Sequence, residues 1–134
     1  TLDGTLFPYT TLFRSATDLK DYQANGHFSQ AADFPARREE ISALCSKAEA
    51  AIDRLGKDVS TAWIKEMKKG LLVEKNVALG TTYKMQALFL QQNSQTAELN
   101  TLWEEMKRFS QDWQKSDPDS FLAMNGDGIL KVGN

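Results

Sequence analysis

Gly70 to Asn93 reads GLLVEKNVALGTTYKMQALFLQQN, and the place where a helix breaks within it decides the fold. Gly80 is a natural C′ residue, and the hydroxyls of Thr81 and Thr82 can cap a helix that follows. Apolar residues recur at helical spacing on both sides. Upstream the stripe is Ile41, Leu44, Cys45, Ala48, Ile52, Leu55, Val59, Trp63 and Met67. Downstream it is Leu88, then Leu99, Leu102, Met106, Phe109 and Trp113. Steps of three and four mark one face of a 3.6-residue period. The pattern predicts an all-α fold, a long antiparallel hairpin over Pro35–Ser116 turning near Gly80. A break at Gly70, after Lys68 and Lys69, is the alternative. Breaks at both glycines give a three-helix bundle.

The boundaries follow from local chemistry. Asp33 is a good N-cap type, and Pro35 suits a first helical turn. Ser116-Asp117-Pro118 ends the second helix, because proline excludes helical backbone before it. Gly56 lies within the first stripe, which keeps its phase there and speaks against a turn. A turn at Gly80 sets Leu99 against Ala62 and Trp63, Met106 against Leu55, and Trp113 against Ala48. It also sets the polar run Gln91–Gln95 against the charged stretch Glu66–Gly70. Residues 16–34 read as an irregular lead-in around an Asn25-Gly26 turn, and residues 117–134 as a tail.

The chain has 134 residues, enough for one small domain or a helical hairpin with tails. A net charge of −2 creates no field that calls for nucleic acid or an anionic membrane. No run approaches the roughly 20 apolar residues of a membrane span. Cys45 is the single cysteine, so no internal disulfide exists; its place on the stripe predicts a buried structural thiol.

Thr5 to Ser15 reads TLFPYTTLFRS. This resembles the in-frame translation of a sequencing-library adapter, an artefact of cloning rather than a protein family. The resemblance implies that residues 1–15 are foreign and pack on nothing. It also implies that the native start lies elsewhere, so a leader segment is not readable from this sequence.

Candidate constellations are sparse. His27 is the only histidine and has no second ligand at metal spacing. Asn125, Asp127 and Gly128 resemble the middle of a calcium-binding loop, but Ala123 and Asn134 stand where its end carboxylates belong. Lys65, Lys68 and Lys69, with Lys57 nearby, form a small basic cluster containing Glu66. Glu104 and Glu105 are adjacent on a helix and point apart. These patterns point to no catalytic residue, no cofactor and no metal. The expected role is an interaction or assembly protein, of the kind that serves secretion, phage or envelope assemblies. A nucleic-acid-binding module built on those lysines, or a fragment of an enzyme, is the alternative.

The partner expected is a protein, a second copy or another chain, and not nucleic acid. Leu71, Leu72, Val73, Val77, Tyr83 and Phe89 crowd the expected hairpin tip around more than one face. One seam cannot cover them all, so the tip is the predicted contact site. Trp103 lies off its stripe and joins that set.

Overall fold

The computed structural model describes Ser15 to Asn125. The fold is all-α, with no strand among the described residues. The helices are α1 (Ser15–Ala24), α2 (Asp33–Arg54), α3 (Thr61–Gln92), α4 (Thr96–Ser116) and α5 (Pro118–Asn125). Gly126, Asp127 and Gly128 of the turn-like run and nearly all of the adapter-like segment fall outside the described residues.

The turn expected near Gly80 is absent, and so is the alternative break at Gly70. Both glycines lie inside α3, which runs about 48 Å at ~1.5 Å per residue. Thr81 and Thr82 do not cap a new helix. Their hydroxyls donate back to the carbonyls of Val77 (2.9 Å) and Ala78 (2.8 Å), one turn earlier in the same helix. Gly80 is itself buried. Burial on several sides outweighs the ~1 kcal/mol propensity cost of an interior glycine.

The chain turns elsewhere. Leu55 to Ser60 separates α2 from α3, and Gly56 lies within that turn. Ser60 is the N-cap of α3: its backbone is extended and its hydroxyl accepts the Trp63 N–H at 3.3 Å. The second turn is Asn93-Ser94-Gln95, where Ser94 takes a positive φ of 54°. The polar run at Gln91–Gln95 is therefore largely the loop, not a helical segment facing charges. The expected pairing of Leu99, Met106 and Trp113 with Trp63, Leu55 and Ala48 falls with it.

Instead α3 is the shared middle element of a zigzag. Its pairing with α2 is antiparallel: Asp53 forms an ion pair with Lys68, Arg38 sits 4.0 Å over the Tyr83 ring, and Phe34 meets Phe89 at 5.4 Å. Its C-terminal half also pairs with α4, where Tyr83 and Phe109 rings lie 5.1 Å apart. The core forms where these pairings overlap. Leu19, Phe34, Val77, Met85, Leu90, Leu102, Met106 and Trp113 are all buried there.

The lead-in is more ordered than expected. Residues 15–24 form α1, and an aromatic chain Tyr22–Phe28–Phe34–Phe89 ties the lead-in to α3. The predicted Asn25-Gly26 turn is present, with Gly26 at φ 82°. Asp33 is the first helical residue rather than the cap; its carboxylate accepts the Gln30 N–H at 2.9 Å. α4 ends at Ser116 as expected. Pro118 then opens α5 rather than a loose tail, because Asp117 accepts the Ser120 N–H at 3.3 Å in the manner of an N-cap. The Trp113 indole N–H donates to Ser120 Oγ at 3.3 Å, which fastens α5 to α4.

Candidate interaction surface

The C-terminal part of α2 and the N-terminal part of α3 extend from this core as a two-helix arm. None of residues 39–75 is buried. Three large apolar side chains stand open on it: Leu44 at 59%, Leu55 at 41% and Trp63 at 64% exposure.

Their arrangement is one-sided. At about 100° per residue, Ile41, Leu44, Ala48, Ala51 and Leu55 fall within an arc of about 80° on α2. Trp63, Met67, Gly70, Leu71 and Glu74 fall within about 100° on α3. Each arc is displaced from the α2–α3 contact line in the same rotational sense. For antiparallel helices the same sense means the same side, so the two arcs make one shared face. The other side carries Ser42, Ser46, Glu49 and Asp53 beside Lys65, Lys68 and Lys69. Large apolar side chains gathered on one side of a hairpin make the kind of patch found at contact surfaces.

The face continues a stripe that is covered in the core. Along α3 the positions Trp63, Met67, Gly70, Glu74, Val77, Thr81 and Met85 recur by threes and fours. Val77, Thr81 and Met85 are buried. The first four are not. Glu74 sits at the transition, and burial pushes its carboxyl above the usual range. Charged and half-covered, it marks where the covered stripe gives way to the bare one.

The residues expected to form the contact site divide. Leu71, Leu72 and Val73 are half-buried in α3, where the arm meets the core. Val77 and Phe89 are core residues and present no surface, because α3 continues through the supposed tip and is packed there. Tyr83 is held between the Arg38 guanidinium and Phe109. Trp103 is half-buried and packs against the core. Leu44, Leu55, Trp63 and Met67 belong to the stripe that the sequence sets into the hairpin seam; in the fold none of them is buried, and helical spacing places them on the open face. The Ser60 cap was the available signal: a stop there ends the pairing that would have buried them.

Other groups offer little chemistry. Cys45 is half-exposed, not buried, beside Leu71, Leu72 and Lys75. Its thiol is pushed up mainly by desolvation, the opposite of an activated nucleophile. Burial pulls the Arg38 guanidinium down, against the pull of Tyr83 and Glu105. His27 lies edge-on to Tyr22. Among the described residues no three His, Cys, Asp or Glu side chains are placed to hold a metal ion. No described helix is long and apolar enough to cross a membrane.

The chain matches no protein-family model, no curated protein and no solved structure.

Proposed function

We propose that this is an interaction protein whose arm presents the apolar face of α2 and α3 to a protein partner. The observation that carries the reading is the one-sidedness of the exposure. Leu44, Leu55 and Trp63 are all exposed, and helical spacing sets them on one side of the arm, with Ser46, Glu49, Lys65 and Lys68 on the other. Scattered exposed apolar residues are ordinary; a contiguous face of them on a protruding element is a contact site. The tryptophan suits this role, since aromatic residues anchor interfaces. The alternative built on Lys65, Lys68 and Lys69 is weakened by its surroundings. Lys68 is engaged by Asp53, and Glu49 and Glu66 stand nearby, so the cluster offers no basic stripe for phosphates.

A photo-crosslinking residue placed at Trp63 or at Leu44, one at a time, tests the reading in an extract of the source cells. The two positions should capture the same identified polypeptide, and a crosslinker at Lys69 on the reverse side should not. Capture that is equal on both sides of the arm, or absent at Trp63 and Leu44, contradicts it.

A further inference from the structure

We propose that the partner of the arm contributes a single amphipathic helix, which lies on the bare face in line with α1. This rests on the reading of the arm as a contact site and adds the kind of element that fills it.

The occupant follows from what covers the same stripe in the core. α2 and α4 both reach α3 at Tyr83, where Arg38 sits over the ring and Phe109 lies beside it. At about 100° per residue, Thr81 stands nearly opposite Tyr83 on the helix, with Val77 and Met85 flanking it. That side of α3 therefore belongs to α1, the third helix packed against it, whose Leu19 is fully buried. The contacts Tyr22–Phe28–Phe34–Phe89 tie the C-terminal end of α1 to the last turn of α3. Since α3 ends at Gln92, α1 packs on it by running back past Met85 and Thr81. The Ser15 end of α1 is thus directed at the arm.

The bare face is the same seat carried further. Trp63, Met67, Gly70 and Glu74 fall within the arc, about 80° wide, that holds Val77, Thr81 and Met85. Trp63 to Glu74 spans about 16 Å, roughly three turns of helix. α1 covers the neighbouring stretch with a single helix of 10 residues. The side chains suit a second helix placed the same way. Asp53–Lys68 and Arg38–Tyr83 fix one register along the arm, which sets Ala51 of α2 level with Gly70 of α3. A Cβ on Gly70 meets nothing within 4 Å, so two small residues at this level let a helix backbone approach closely. Leu55 and Trp63 at the far end and Leu44 at the near end meet its apolar stripe. Glu74 lies within the stretch, and no cation pairs with it among the described residues. The occupant therefore carries a lysine or arginine at that level.

Photo-crosslinkers placed singly at Leu44, Trp63 and Met67 of the full chain, in an extract of the source cells, test this when the attachment points on the captured polypeptide are read by mass spectrometry. All of them should map to one segment, at helical spacing and within about four turns. Gly70→Leu fills the seat and should abolish capture, with the helical circular dichroism signal unchanged. Glu74→Lys should weaken capture severalfold, and Lys69→Glu, on the reverse side, should capture like the parent. Attachment points spread over separate segments, as the two-helix arm of a second copy would give, or at the alternating spacing of a strand, overturn the helix and leave the contact site standing. Capture that survives Gly70→Leu does the same, and capture unaffected by Glu74→Lys overturns the cation. Crosslinks confined to the same chain, or no capture at Trp63 and Leu44, overturn the contact-site reading as well.

Discussion

Trp63 and Trp113 carry the same side chain and do opposite things. Trp113 is 1% exposed and Trp63 is 64% exposed. Trp113→Ala should therefore cost about 3–5 kcal/mol in urea unfolding, the price of emptying a large core site. Trp63→Ala should change stability by less than about 0.5 kcal/mol in dilute solution. Equal losses would contradict the assignment of the two rings. Trp113 was legible as core because it continues the stripe Leu99, Leu102, Met106 along one strongly amphipathic helix, and that stripe is covered. Trp63 was not, because periodicity reports which side of a helix is apolar and not whether anything covers it. Glu74 supplies a pH test at the same scale. Its carboxyl lies above the ordinary 4.5 in the folded chain. The folded state thus holds the proton more tightly, and stability from this group declines as pH rises through that range. Glu74→Gln should raise the thermal midpoint at pH 7 and change it little below pH 4, to be read by thermal melts at both values. A larger gain in acid than at neutrality would contradict the assigned direction.

At the scale of elements, the turns decide the topology. Ser60 stops one hairpin, and Asn93 to Gln95 stops the next. Ser60→Ala removes a cap and should cost about 1 kcal/mol, measured by chemical denaturation. Gly70 gives the converse case. It is interior to α3, exposed, and a Cβ there meets nothing within 4 Å. Gly70→Ala should stabilise the monomer by about 0.5–1 kcal/mol, since the methyl meets open space and the unfolded chain loses freedom. A loss of stability would show that the helix breaks at Gly70 after all. The helical class was readable from spacing, and so were the Asn25-Gly26 turn and the stop before Pro118. The turns were not, because a glycine and two threonines imitate a break. In α3 those threonine hydroxyls instead bond back along their own helix, and the neighbouring side chains are packed on three sides.

At the scale of the molecule, the claim is that one continuous helix has two environments. The C-terminal half of α3 holds its buried residues from Asn76 to Leu90 and packs with α1, α2 and α4, whereas among the described residues Thr61 to Lys75 includes no buried side chain and pairs mainly with α2. Local stability follows burial, so the two halves should open with different free energies even though they share one hydrogen-bond ladder. The packed end supplies the fold from which the arm extends. Native-state hydrogen exchange along α3, on protein dilute enough to be monomeric, tests this most directly. The account predicts slow amides from Asn76 to Leu90, exchanging with the free energy of global unfolding, and markedly faster amides from Lys65 to Val73. Uniform protection along the whole of α3 would contradict it.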